Sequence, residues 1–209
     1  MHASPPAPGG RVALTFDDGP DPLGTPAVLA ALRAAHVRAT FFVLGERVLA
    51  HPALFEQIRS AGHGIEVHGF GHRGHAESTR AEVAADIDRA LEVLAAAGVR
   101  PTRWRLPYGV EAPFSAGLAA SRGLTVTGWT LDSADWAGHS AGAMLAALEP
   151  SLAPGAIVLL HDGVGPGALR GAATETAALV APLTAAARAR GLEPGPLAGG
   201  APGGAAAIR

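Results

Sequence analysis

The sequence predicts an α/β protein of one domain, in which parallel strands and helices alternate and close into a barrel. Three observations carry that prediction. Apolar runs of strand length recur along the chain, each followed by a stretch with helical period or helix-capping residues, as βα units require. Six or seven such repeats fit within the 209 residues, which suits a barrel better than an open sheet. Polar residues gather at or just past the C-terminal ends of the predicted strands: Asp17-Asp18, His68, Arg105, Asp132 and His161. In a βα barrel those ends converge on one face, where side chains far apart in sequence meet.

The elements follow in order. Residues 1–10 are a Pro/Gly-rich lead. Residues 11–18 read as a strand that two carboxylates close and that Gly19-Pro20 and Asp21-Pro22 break. Thr25-Pro26 supplies a cap and a proline at the first helical position, opening a helix to about residue 36. A buried strand is expected over 39–44, then a helical stretch over 46–61 interrupted at His51-Pro52, and a third strand over 64–68. Residues 69–75 form a Gly- and His-rich loop. Thr79 and Glu82 make a capping box for a helix that ends at Gly98, with Val83, Ile87, Leu91 and Leu94 on one face. Further strands are expected over 104–106, 124–131 and 156–160, and helices over 115–122, 141–148 and 174–190. The barrel domain is thus expected over 11–192. Residues 193–209 form a Gly/Pro/Ala-rich tail, with at most a weak edge strand.

Composition removes several kinds of chemistry. Charged residues make up 16% of the chain and the net charge is −2, which gives no electrostatic case for nucleic acid or an anionic membrane. Without cysteine there is no disulfide, thiol nucleophile or thiolate zinc site, so any metal must sit on histidines and carboxylates. Lysine is absent too, which excludes Schiff-base chemistry and a Walker-type phosphate loop. No apolar run approaches the ~20 residues of a membrane span. No secretory signal is visible at the start, so the chain as written reads as cytoplasmic, with export of a longer precursor left open. Oligomeric state is not readable.

Asp17-Asp18-Gly19-Pro20 taken alone reads as an ordinary polar turn. His68 and His72, four residues apart, can point at one ion; with a carboxylate they would give zinc three protein ligands and an open position. A surface loop that happens to hold histidines is the plain alternative. Gly138-His139-Ser140-Ala141-Gly142 matches the nucleophile-elbow pattern, but no strand runs directly into it and too little chain follows, so Ser140 reads as a helix N-cap.

Five segments in order resemble the motifs of the polysaccharide deacetylases, the nodulation-type deacetylase domain of carbohydrate esterase family 4. They are Thr15-Phe16-Asp17-Asp18-Gly19-Pro20, His68-x-x-x-His72, Arg105-Leu106-Pro107-Tyr108-Gly109, Asp132-Ser133-Ala134-Asp135-Trp136 and Leu159-Leu160-His161-Asp162. The resemblance implies a distorted (β/α)7 barrel and metal-dependent removal of acetyl groups from N-acetylated sugars. It implies Asp17 as catalytic base and Asp18, His68 and His72 as ligands of a divalent metal. Zinc is the default for such a set, with cobalt or nickel as alternatives. It also implies Arg105 as the arginine that orients the base, the Tyr108 backbone N–H as oxyanion donor, and His161 as catalytic acid tethered by Asp135. Tyr108, Trp136 and Leu159 would contact substrate, Trp136 and Leu159 as apolar walls around the acetyl methyl. One departure stands out: Gly69 occupies a position where the family has a hydroxyl residue that braces the histidine loop.

These roles are chemically coherent. The base must stay ionised, which a nearby guanidinium favours. An amine leaves poorly, so an acid is needed opposite the base, and an imidazolium kept protonated by a carboxylate serves. Two other readings stay open: the same chemistry on a non-sugar amide, and a catalytically silent carbohydrate-binding module.

Overall fold

The computed structural model describes residues 10–199, so most of the expected N-terminal lead and the end of the expected tail lie outside the described residues. Strand β1 (Arg11–Asp17) is the centre of the fold. It pairs in parallel with β2 (Thr40–Leu44), with β7 (Ile157–His161) and, at its start, with β8 (Glu193–Gly195). The remaining strands are β3 (Gly64–Gly69), β4 (Arg103–Trp104), β5 (Thr125–Val126) and β6 (Leu131–Asp132), and the sheet runs β5-β4-β3-β2-β1-β7-β6. All pairings are parallel, which demands crossover connections. Those crossovers carry helices α1 (Thr25–Ala34), α2 (Gly45–Ala50), α3 (Pro52–Ser60), α4 (Arg80–Ala96), α5 (Ser115–Ala120) and α6 (Ala141–Leu148), with α7 (Thr174–Ala189) leading into β8. The result is a curled, half-closed barrel, the distorted barrel expected. No described helix is long and apolar enough to cross a membrane.

Local chemistry accounts for the boundaries. Pro26 sits in the first turn of α1, where its missing N–H costs nothing. Pro52 splits the 46–61 stretch into α2 and α3 at the expected point. The Thr79–Glu82 capping box is present in full, and Val83, Ile87, Ala90 and Leu94 bury one face of α4. Ser140 caps α6 by accepting the Ala143 N–H, so it is the N-cap expected.

Alternation along β1 decides where the core and the site lie. Val12, Leu14 and Phe16 point outward beneath the helices, and Phe16 stacks on Phe41 with ring centroids 5.2 Å apart. Fully burying such side chains contributes ~1.5–3 kcal/mol each. Ala13, Thr15 and Asp17 face inward, so the barrel interior grows more polar toward the strand's C-terminal end.

One expected strand is corrected. Residues 124–131 are two strands, β5 and β6, at opposite ends of the sheet, and no pairing joins them among the described residues. The intervening carbonyls of Thr127 and Gly128 accept from the Arg105 guanidinium at 3.4 and 2.9 Å, which ties that stretch to a side chain instead of a ladder. The stretch from Glu193 also packs closely: β8 pairs with Arg11–Ala13, and buried Leu197 donates its N–H to Thr40 Oγ1 at 3.0 Å.

Candidate active site

Asp17 ends β1, beside His161 at the end of β7, with which it is in register. Side chains in register on adjacent parallel strands project to the same side, so the two expected catalytic groups share one rim. Arg105 is wholly buried inside the barrel. Its NH1 donates to Asp17 Oδ1 at 2.8 Å and to Thr15 Oγ1 at 2.7 Å, and its guanidinium lies 4.1 Å from the centre of the Phe42 ring. Four hydrogen-bond acceptors and an aromatic face hold this cation in place, so it orients the Asp17 carboxylate rigidly.

Asp18, the next residue, leaves the strand with φ +74°, a left-handed backbone that turns its carboxylate toward the histidines. Asp18 Oδ1 lies 3.4 Å from His68 Nε2 and 3.5 Å from His72 Nε2. His68 Nδ1 donates to the Arg105 carbonyl at 2.7 Å, which fixes the ring and directs Nε2 at Asp18. The three ligand atoms lie within 4.8 Å of one another, and Asp18 Oδ1 is buried without a hydrogen-bond partner among the described residues. A buried carboxylate oxygen with two imidazole nitrogens facing it fits a divalent cation of the zinc class. Burial works against both charges, but His68 chiefly holds the Asp18 carboxyl below its ordinary range, and the carboxylates of Asp17 and Asp18 hold the His68 imidazole above its own. Burial and the neighbouring His68 push His72 down to about 4, so this ring is neutral and its nitrogen is free to ligate.

Across the cavity, His161 Nδ1 donates to Asp135 Oδ1 at 2.6 Å, and its backbone N–H donates to Asp135 Oδ2 at 3.0 Å. Burial opposes protonation of this ring, yet the Asp135 carboxylate outweighs it and raises the imidazole to about 9. Asp135 is itself buried and held below its ordinary range despite that burial, chiefly by His161.

These groups surround a cavity of about 430 Å³ whose lining includes Asp17, Asp18, His68, His72, Trp129 and His161. Tyr108, Trp136 and Leu159 line it as well, while Arg105 and Asp135 stand behind the wall. All ten site residues expected from the sequence therefore converge on one place. Tyr108 has φ +59°, and the hydrogen bonds of its turn run from Gly109 N–H to Leu106 O and from Val110 N–H to Pro107 O. The Tyr108 N–H is left out of that turn. Tyr108 (53% exposed) and Trp136 (43%) present aromatic surface to solvent at the mouth of this cavity.

Several contributors escaped the sequence reading. Thr176 donates to Asp135 Oδ2 at 2.6 Å, and Arg170 NH2 lies 3.4 Å from the same oxygen. Trp129 lines the cavity from the segment between β5 and β6. Gly163 and Gly165 lie against Asp18, where an added Cβ would fall 2.7 Å from its carbonyl and 2.2 Å from its carboxylate, respectively. Asp162 is buried, accepts from Thr25 Oγ1 at 2.5 Å, and is raised to about 7 mainly by burial. Asp162 lies within the 159–162 segment already noted, without a role assigned to it there; the others have no local pattern that marks them, and the run of glycines after Asp162 was the one available signal. Gly69 has φ +148°, a backbone that disfavours the hydroxyl residue expected there.

Comparison with known proteins extends the picture. Residues 4–127 match the family model described as polysaccharide deacetylase, a span that contains Asp17, Asp18, His68, His72, Arg105 and Tyr108. A chitooligosaccharide deacetylase from Bradyrhizobium sp. (strain ANU 289) is 37% identical over 158 residues, covering 75% of this chain and 72% of the relative. The Bc1960 peptidoglycan N-acetylglucosamine deacetylase superposes with a TM-score of 0.84 at 28% identity, over 92% of this chain and 88% of that one. A family 4 carbohydrate esterase from Streptomyces lividans, solved with acetate, superposes with a TM-score of 0.80 at 31% identity, over 89% of this chain and 92% of that one.

Proposed function

The chain belongs to the polysaccharide deacetylase family, and from that membership we propose that it hydrolyses the acetamido group of N-acetylated sugars, releasing acetate and a free amine. The observation that carries this reading is the pairing of Asp17 and His161 in register on neighbouring strands at the mouth of a cavity that Asp18, His68 and His72 also line.

A divalent ion held by Asp18, His68 and His72 would supply Lewis acidity toward a water and the acetyl carbonyl. Asp17, fixed by Arg105, accepts the proton of the attacking water as its oxygen bonds to the carbonyl carbon. The Tyr108 N–H, outside its own turn, donates to the developing oxyanion. His161, protonated below about pH 9, passes the Nε2 proton to the amide nitrogen as the C–N bond breaks. Asp135 holds the ring so that Nδ1 stays occupied and Nε2 faces the cavity. Leu159 and Trp136 bound the space that an acetyl methyl would fill, and the exposed faces of Tyr108 and Trp136 suit sugar rings.

Chitooligosaccharides and peptidoglycan glycans are the first substrates to assay, since relatives carrying those names match over most of this chain. Acetate release from N-acetylglucosamine oligomers by zinc-loaded protein tests the proposal. Turnover restricted to non-sugar amides, or sugar binding without any acetate release, would displace it.

A further inference from the structure

His68 sits on a strand that ends at Gly69, but His72 lies beyond it in a loop with glycines at 71 and 74. Such a loop loses much conformational freedom on ordering, so something must hold His72 where Asp18 and His68 need it. Helix α4 provides that hold. Asp86 Oδ2 accepts the Phe70 N–H at 2.8 Å and Oδ1 accepts the Gly71 N–H at 3.0 Å, one carboxylate spanning two successive amides. Three residues on, Arg89 places its guanidinium carbon 3.6 Å from the centre of the Phe70 ring. From the other side, the Glu46 N–H of α2 donates to the Phe70 carbonyl at 3.0 Å, and a Cβ on Gly45 would come within 2.9 Å of the Phe70 ring. The carboxylate presses so close that a Cβ on Gly69 would fall 2.9 Å from Asp86 Oδ2 and 2.9 Å from the Gly71 carbonyl oxygen.

We propose that Asp86 is a positioning residue for the metal centre: it clamps the Phe70 and Gly71 amides and thereby sets the reach of His72 toward Asp18. Asp86 is absent from the cavity lining and acts only through the loop. It is displayed from a helix whose own anchorage (the capping box and four buried apolar residues) does not depend on it. The proposal rests on His72 being a ligand, so the test separates the two ideas.

Zn²⁺ affinity is measured by competition with a chelator for the wild type, Asp86→Ala, Asp86→Asn and His72→Ala, beside amide exchange of the metal-free proteins. Loss of groups that orient metal ligands costs about 10–100-fold in affinity, and that range is expected for Asp86→Ala. Asp86→Asn keeps one acceptor and the same shape, so it loses less. Exchange at Phe70 and Gly71 accelerates in both Asp86 variants, while α4 amides around Ile87 and Leu94 keep their protection. A twofold or smaller change in Zn²⁺ affinity for Asp86→Ala, with a large loss for His72→Ala, overturns the proposal and spares the ligand assignment. Unchanged affinity in His72→Ala overturns the ligand assignment itself. Unchanged exchange at Phe70 and Gly71 overturns the clamp whatever the affinities. If Asp86→Ala does not fold, Asp86→Asn decides by the same criteria, with a smaller but measurable loss required.

Discussion

Two carboxylate–cation pairs meet at the rim of the cavity, and they differ in one respect. Asp17 is paired with an arginine and Asp135 with a histidine. A guanidinium keeps its proton at every working pH, so the Arg105 pair holds a fixed charge beside the proposed base. An imidazole gives up its proton, so the Asp135 pair stores one that can be delivered. Similar hydrogen-bond lengths, 2.8 and 2.6 Å, therefore serve opposite ends: one pair makes a carboxylate steady and the other makes a proton available.

The largest expected effect breaks the fixed pair. Asp17→Asn should lower kcat by about 10³-fold or more while zinc content stays that of wild type, since general-base catalysis supplies about 10²–10⁴-fold. Metal analysis beside an acetate-release assay reads both quantities. Arg105→Met leaves the Asp17 carboxylate buried and uncompensated, which costs about 3–5 kcal/mol of stability in urea unfolding as well as activity. Breaking the movable pair has a different signature. Asp135→Asn withdraws the charge that raises His161 to about 9, so the alkaline limb of kcat should move to lower pH.

The sign for stability follows from the same shift. His161 is raised above its ordinary 6.5, so its contribution is fully present below that value and fades as pH rises through about 9. The stability gap between wild type and Asp135→Asn should therefore narrow over that window, which denaturation at several pH values would show. The smallest effect lies at the other end of the barrel. A wider cavity there, about 750 Å³, is lined by Arg11, Arg33, Arg38 and Glu193, all exposed and none in a described ion pair. Arg33 is exposed and lies outside the lining of the cavity that holds Asp17 and His161, so Arg33→Ala should leave kcat unchanged and stability within ~0.5 kcal/mol.

The legible part of the site was whatever announced itself locally. Asp17, Asp18 and His161 stand where an apolar strand ends in a turn, and His68 and His72 carry a recognisable spacing. Thr176 and Arg170 were not legible, because a helical threonine and a loop arginine look the same whether or not a carboxylate waits for them in space. Asp86 was hidden for the same reason: on α4 it reads as an ordinary polar helix residue, and its partners are backbone amides sixteen and fifteen positions away. The split of 124–131 failed differently. Its threonines, valine and tryptophan favour strand, but the carbonyls of Thr127 and Gly128 are claimed by a buried guanidinium.

The pairing of β7 with β1 joins distant parts of the chain, and this has a consequence for how the protein comes into being. As synthesis proceeds from the N-terminus, Asp18, His68 and His72 leave the ribosome well before His161 and its tether. The nascent polypeptide thus carries all three proposed ion ligands while it still lacks its proposed proton donor. With His161 in the role proposed, hydrolysis waits for nearly the last strand, and the barrel becomes active only when it is almost whole.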